Sequence, residues 1–356
     1  MLSRFASLAL LLPLMACAAT DTPTMPDLPA HHLERYDPQT GGRFRNPTGS
    51  PVPEDSLLLD RLPFFWGMAW SGFRRVDIPP GHVLPPSEVT AALQRHHNSD
   101  SYTWIGHAAF LIRLGGTAIL TDPYLSDRAG PFNLLGPKRY APAALTPATL
   151  PPIDILAVSH NHYDHLDLGA ISALPNKDRI AVVVPLGLAS YFRDRGYTDV
   201  TELDWYQSVE RKGVTITYTP AVHFSRRTAF DANRSLWGGF AFKTATRNLF
   251  FSGDTTYGPV FREIGEKLGP FDMAFVGIGA YEPRIIMSSS HTTPEQAAQL
   301  AKDVGAQRVI GMHWGTVILS DEPPFEAPER LRAGAAAIGY PPGSADVMAI
   351  GETRAF

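Results

Sequence analysis

Only one cysteine, Cys17, occurs in the 356 residues. No intrachain disulfide is therefore possible, and its place at the end of an N-terminal apolar stretch excludes it as a catalytic nucleophile. Basic charge is also in short supply. Lys and Arg together number 31 against 35 Asp and Glu, for a net charge of -4, and no long Lys/Arg run is present. A nucleic-acid partner needs a basic patch, so that class is set aside. The N-terminal apolar run, Phe5 to Leu14, falls far short of the ~20 residues that span a bilayer. What is present is globular composition, with 44% hydrophobic and 19% charged residues. That is enough for a sizeable core in one large domain or two.

Met1-Leu2-Ser3-Arg4 gives a short positive start, Phe5 to Leu14 an apolar segment, and Leu14-Met15-Ala16-Cys17 its end. This reads as a bacterial export signal. A small residue before a lone Cys resembles the lipobox of bacterial lipoproteins, which implies a signal peptide over 1–17 and a lipidated Cys17. Ala18 gives no inner-membrane retention signal, so the expected address is the cell envelope, at the outer membrane facing the periplasm. The alternative is ordinary cleavage within Ala16-Cys17-Ala18, which would release a soluble periplasmic protein. Residues 18–45 are expected to be a flexible tether. Residues 46–100 are expected to form an extension that packs on a main domain at 101–356. Within the extension, Leu57 through Trp70 is strongly aromatic. It reads either as an arm packed on the main domain or as a surface that enters lipid.

From Tyr102 onward apolar strands alternate with helices. Leu114-Gly115-Gly116 signals a hairpin between two strands. Further strands are expected at Ile153–Ser159, Ile180–Val184, Val209–Tyr218 (a hairpin), Trp237–Phe251 (two strands), Met273–Ile278, Arg308–His313 and Asp346–Glu352. Helices are expected at Leu168–Ala173, Leu188–Arg195, Phe261–Leu268, Thr293–Val304 and Pro328–Ile338. No sequence repeat is visible, although two similar halves could hide in this order.

The chemistry concentrates in His160-Asn161-His162-Tyr163-Asp164-His165. Three imidazoles and a carboxylate within six residues, at the C-terminal end of a strand, point to metal binding rather than to packing. Later strands end in the same way, at His223, Asp254 and His313. If those tips converge, seven ligands surround one point. That is too many for one tetrahedral zinc and suits two metals. His160, His162 and His223 form one site, Asp164, His165 and His313 the other, and Asp254 can bridge. Imidazole with carboxylate favours zinc, with iron or manganese open.

The run His160 to His165 resembles the signature of the metallo-β-lactamase superfamily. Thr103–Ala108, Leu120–Pro123, Gly136–Tyr140, Leu236–Phe240, Gly279–Arg284 and His313–Thr316 are similar to one branch, the N-acylphosphatidylethanolamine-hydrolysing phospholipases D. The resemblance implies an αββα sandwich and two Zn2+ held by the seven residues above. It implies a phosphodiester hydrolase in which a metal-bridging hydroxide attacks phosphorus. N-acylethanolamine then leaves and phosphatidic acid remains, so the expected partners are a phospholipid and a membrane surface. The departing alkoxide needs a proton, for which His291 and Asp164 compete. A hydrolase of the same fold acting on a lactone, a nucleotide-like diester or a sugar phosphodiester is the alternative. A non-catalytic structural site is disfavoured, because structural zinc usually has four closed ligands.

Asp122 is expected to support a metal-bound histidine. Asp167 is expected either to do the same or to cap the next helix. His107 is expected to be a structural strand histidine, Lys138 and Arg139 a solvated loop pair, and Tyr281 and Glu282 pocket lining. His31, His32, His82, His96 and His97 precede the domain and are expected to be incidental.

Overall fold

Strands that are buried on both faces need an apolar side chain at nearly every position, and the chain from Ser101 supplies them. Along the second strand of the domain, Phe110, Ile112 and Leu114 face one core while Ala109 and Leu111 face another. Ile155 and Ala157 alternate with Leu156 and Val158 in the same way. Period-two geometry therefore gives each strand of this sheet two dry faces.

The computed structural model describes residues 36–37, 42–51, 64, 66–67 and 74–356. The expected signal peptide, Cys17, most of the tether, His31, His32 and most of the 57–70 segment lie outside them. Short strands β1 (Tyr36–Asp37) and β2 (Arg43–Phe44) pair antiparallel. One seven-stranded sheet contains β3 (Ser101–Gly106), β4 (Ala109–Leu114), β5 (Thr117–Thr121), β6 (Ile155–Ala157), β7 (Ala181–Pro185) and β8 (Asp199–Leu203). The other contains β9 (Ser208–Arg211), β10 (Val214–Pro220), β11 (Gly238–Lys243), β12 (Asn248–Phe251), β13 (Phe271–Gly277), β14 (Ala306–Met312) and β15 (Ala345–Asp346). The last strand, β16 (Thr353–Ala355), returns to pair with β3. Gly115 and Gly116, both at positive φ, turn the β4–β5 hairpin as expected.

The two sheets share one plan. From β16 to β5, and from β9 to β12, successive pairings are antiparallel. From there to β8 and to β15 they are parallel. The duplicated architecture has no visible sequence repeat, because hydrophobic patterning can be kept without keeping identities. Between the sheets, Tyr102 and Phe110 pack on Phe275 with ring centroids 5.6 and 4.7 Å apart. Helices Pro86–Arg95, Leu168–Ala173 and Ala189–Arg193 cover the outer face of the first sheet through Val89, Ile171 and Phe192. Helices Val260–Leu268, Pro294–Asp303 and Ala327–Ala337 cover the second through Phe261, Leu300 and Leu331. The result is an αββα sandwich. Thr293 opens its helix with a capping box, its hydroxyl accepting from Gln296 N while Gln296 accepts from Thr293 N.

One expected element is corrected. Asp346–Glu352 is not a single strand: β15 ends at Asp346 in one sheet and β16 begins at Thr353 in the other. Between them Met348 and Ile350 are buried, and Gly351 turns the chain at φ +93°. A Cβ there would lie 2.5 Å from Val89. The helix Pro86–Arg95 and strand β8 were not anticipated. β8 is only partly buried until Leu203, which weakens its apolar signal.

Candidate metal centre

Parallel strands deliver their C-terminal tips to one edge of a sheet, and here both sheets do so side by side. β5 leads into Asp122, β6 into His160–His165, β10 into His223, β12 into Asp254 and β14 into His313. The local backbone is tight. Gly253 sits at φ +58°, and a Cβ on it would meet the Gly238 carbonyl oxygen at 2.3 Å. That close approach lets the β12 tip turn Asp254 inward. Asp122, His107 and His313 also hold positive φ, at 32°, 57° and 59°, so strained backbone concentrates around the centre.

The structure brings all seven expected ligands together in two groups that meet at Asp254. In the first, His162 Nδ1 lies 2.9 Å from His160 Nε2 and 3.2 Å from His223 Nε2. Asp254 Oδ2 is 3.9 and 3.8 Å from His160 Nε2 and His223 Nε2. In the second, Asp254 Oδ2 is 3.1 Å from both His165 Nε2 and His313 Nε2. Asp164 Oδ2 is 3.6 and 3.4 Å from those two nitrogens. Metal bonds of 2.0–2.2 Å at tetrahedral angles would place ligand atoms about 3.3–3.6 Å apart. Both groups bracket that separation. His165 Nε2, His313 Nε2 and Asp254 Oδ1 are buried with no hydrogen-bond partner. Buried polar atoms seldom go unpaired, so the two imidazole nitrogens, both 3.1 Å from Asp254 Oδ2, fit a cation there.

Electrostatics separates the two groups. Burial drives His160 well below the ordinary histidine pKa, His162 to about 3 and His223 to about 4. The first group is therefore neutral imidazole, ready to donate lone pairs. Burial also opposes protonation of His165 and His313, but the Asp254 and Asp164 carboxylates outweigh it. His165 is held well above its ordinary value and His313 at about 9. Burial likewise disfavours ionised Asp164 and Asp254, yet those imidazolium neighbours keep both carboxyls well below their usual range. The second group is thus a charged cluster in which protons occupy the cation's place.

Asp122 makes the hydrogen bond to a cluster histidine that was expected of it. Its Oδ2 accepts from His165 Nδ1 at 2.8 Å and from Ser159 Oγ at 2.6 Å, and its Oδ1 from Ser159 N at 2.7 Å. Asp167 is resolved as a cap. It accepts from Ala170 N at its helix start and from Leu125 N and Ser126 N. His291 lies beside the centre, with ring centroids 5.1 Å from His223 and 5.3 Å from His313, and could itself join Asp254 and His313 around a cation. Burial holds it neutral, well below its usual pKa.

A match to the β-lactamase superfamily domain covers residues 117–314. The chain belongs to the metallo-β-lactamase superfamily. Membership places it among metal-dependent hydrolases. N-acyl-phosphatidylethanolamine-hydrolyzing phospholipase D 1 of Caenorhabditis elegans is 42% identical over 245 residues, 66% of this chain and 69% of that protein. The mitochondrial N-acyl-phosphatidylethanolamine-hydrolyzing phospholipase D of Saccharomyces cerevisiae is 33% identical over 300 residues, 79% of this chain and 64% of that one. A possible metal-dependent hydrolase from Veillonella parvula superposes with a TM-score of 0.55 at 20% identity, covering 72% of this chain and all of that one. This last likeness shows the superfamily fold alone. The chain spans about two thirds of the length of these curated relatives.

Several minor expectations change. His107 is not a passive strand histidine: it sits in the β3–β4 turn with Nε2 2.9 Å from Asp164 Oδ2. His82 is not incidental. It is buried among Trp104, Trp314 and Phe325, and its Nε2 donates to the Gly315 carbonyl at 2.6 Å. It thereby pins the loop after His313. His97 is exposed and His96 half-buried, with contacts only inside their own turn. Lys138 is exposed, but Arg139 is buried, donating to the carbonyls of Tyr124 and Ala141. Tyr281 is buried and donates to Glu326. The signal for His107 and His82 was their motif neighbourhood, Gly106-His107 and Gly81-His82, where a glycine at positive φ releases the chain from regular structure.

Proposed function

We propose that this chain is a dinuclear zinc phosphodiesterase of phospholipase D type, cleaving N-acylphosphatidylethanolamine-like lipids to N-acylethanolamine and phosphatidic acid. The observation that carries this reading is the meeting of two donor groups, one with His160, His162 and His223 and one with Asp164, His165 and His313, at Asp254 Oδ2. Two zinc ions, when bound, would supply an ionised water and neutralise charge on the phosphoryl oxygens. His160, His162 and His223 would hold one ion, Asp164, His165 and His313 the other, with Asp254 shared. Asp122 and Ser159 orient His165 and His160. His291, neutral at rest, would donate a hydrogen bond to the leaving oxygen. It, or the ionised Asp164, would accept the proton released by the attacking water and pass it to that oxygen as the bond to phosphorus breaks.

The lipid assignment is supported by the names of the relatives and by the surface beside the centre. Phe132, Leu134 and Leu135 are 84%, 74% and 64% exposed, and Phe230 is 83% exposed. Both loops that bear them grip the ligand segment. Leu125 and Ser126 bond Asp167, while Arg226 N donates to Asn161 and Arg227 to the Asn161 and Leu166 carbonyls. Exposed Lys138, Arg226 and Arg234 accompany them. Such tips would enter a bilayer while cations meet its phosphates. In the aromatic 57–70 segment Trp66 is 71% exposed and fits the same role, while Phe64 is buried. Among the described residues no helix is long and apolar enough to cross a membrane. On this reading attachment comes from a lipidated Cys17 after signal 1–17, with 18–45 as tether, 46–100 as extension and 101–356 as the hydrolase.

A second reading, a smaller phosphodiester or a lactone, is favoured by one feature. The cavity against His313, lined by Tyr140, Gly279, Trp314 and Glu322, has a volume of about 30 Å³, too small for an acyl chain. On the lipid reading the chains stay in the bilayer and only the headgroup enters. The test is zinc-loaded protein with dispersed N-acylphosphatidylethanolamine, products read by mass spectrometry, beside a panel of soluble diesters and lactones. Release of N-acylethanolamine with phosphatidic acid is expected. Turnover of soluble substrates without any from the lipid would overturn the lipid assignment and leave the second reading.

A further inference from the structure

We propose that His107 is a positioning residue for the second metal: its Nε2–H donates to Asp164 Oδ2 and fixes that oxygen toward His165 and His313. The inference rests on the dinuclear reading above. His107 is buried, and its ring lies 4.0 Å from that of His313 and 5.5 Å from that of His165. The backbone around it is locked from three directions. His107 N donates to Thr316 Oγ1 at 3.0 Å, and the His107 carbonyl accepts from His313 N at 3.0 Å and Trp104 Nε1 at 2.9 Å. The ring is thereby built onto the same strand tip that carries His313.

His107 could instead be a ligand, since its Nε2 shares a cluster with Asp164, His165 and His313. Two observations favour the donor role. Asp164, His165, His313 and Asp254 already make four donors without it. His107 Nδ1 is buried with no partner. If Nε2 were bare and bound metal, Nδ1 would carry the proton and become an orphaned buried donor, the rarer defect. With the proton on Nε2, the orphan is only an unfilled acceptor.

The experiment uses His107→Asn and His107→Gln in the full chain. Asn tolerates the left-handed backbone at φ 57°, but its amide reaches only to the place of Nδ1, so the Asp164 contact is lost without backbone strain. Gln extends a donor to about the place of Nε2. Zinc stoichiometry is measured against graded chelator, and Co2+ absorption spectra report the geometry of each site. His107→Asn is expected to keep the first metal and bind the second about 10–100-fold more weakly, as loss of a ligand's supporting hydrogen bond typically does. His107→Gln is expected to restore most of that loss and the wild-type second-site spectrum. Wild-type affinity for both metals in His107→Asn overturns the proposal. So does equal weakening of both sites, or no rescue by Gln. Wild-type protein that binds only one equivalent sinks the dinuclear reading itself, and this inference with it.

Discussion

Replacing Asp122 by Asn exchanges one oxygen for an amide nitrogen and should impair both halves of the centre. In the native protein Asp122 Oδ2 takes two hydrogen bonds, from His165 Nδ1 and from Ser159 Oγ. Ser159 Oγ in turn lies 2.9 Å from His160 Nδ1. One carboxylate therefore keeps the Nδ1 proton of His165 in place directly and supports that of His160 through the serine. Both Nε2 atoms are thereby left to face Asp254 and, once the His165 proton is displaced, a cation. Asparagine can keep the bond from Ser159 N through its remaining oxygen, but its NH2 then confronts two donors. His165 satisfies it only by moving its proton to Nε2, which removes that nitrogen as a ligand. The same tautomer logic governs carboxylate-supported histidines in catalytic triads. Losing such a support costs about 10–100-fold in metal affinity, or roughly 1.4–2.7 kcal/mol. Two bonds to a charged acceptor, worth about 1.5–3 kcal/mol each, bound the loss of folding stability from above. Competitive chelator titration with site-resolved Co2+ spectra would measure it. The second site should suffer more, and Ser159→Ala should weaken the first alone. Wild-type affinity at both sites in Asp122→Asn would refute the reasoning.

Second-site metal must displace the proton of His313, whose pKa is about 9, so its apparent affinity should climb with pH up to about 9. First-site affinity should stay flat above pH 5, because His162 and His223 titrate near 3 and 4; titrations at pH 6 and 9 check both. Metal-free protein should be most heat-stable near pH 6.5. The raised His313 contributes fully below that value and is lost toward 9, whereas the depressed His223 contributes above it and is lost toward 4; melts showing a monotonic trend would contradict this. Ser at Phe132, Leu134 and Phe230 together should weaken sedimentation with anionic vesicles by about tenfold or more and leave hydrolysis of a soluble diester unchanged. Gly253→Ala should cost at least about 1–3 kcal/mol from backbone strain, because its φ is +58° and the Gly238 carbonyl leaves no room for a Cβ; urea unfolding measures it.

The parts of the fold most legible in sequence are those where one local rule dominates. The β4–β5 hairpin needs two residues at positive φ, and Gly115-Gly116 can be nothing else so cheaply. The helix from Pro294 announces itself with Thr293 and Gln296 at capping-box spacing. The convergence of the seven expected ligands was legible because strand tips carry them to one edge, a consequence of topology rather than of distance along the chain. What stayed hidden depends on contacts between remote segments. His82 looks like one of several early histidines until Gly315, 233 residues later, offers its carbonyl. Arg139 reads as half of a solvated basic pair until Tyr124 and Ala141 enclose it. The C-terminal apolar run reads as one strand because periodicity cannot say that Asp346 and Thr353 belong to different sheets.

The charge arrangement explains how such a centre can fold before a cation arrives. Two buried carboxylates sharing one pocket repel, and neither could stay ionised alone. Here both are answered by the same two imidazoliums, one from each sheet: His165 after β6 and His313 after β14. The first group needs no such help, because His160, His162 and His223 are neutral and partly satisfy one another. Folding therefore assembles one site as free base and the other as its acid form. On the dinuclear reading, metal entering the second site would exchange protons for a cation at nearly constant local charge, while metal entering the first would add charge to a neutral group next to Asp254. That asymmetry makes the shared Asp254 the residue whose removal should uncouple the two sites most completely.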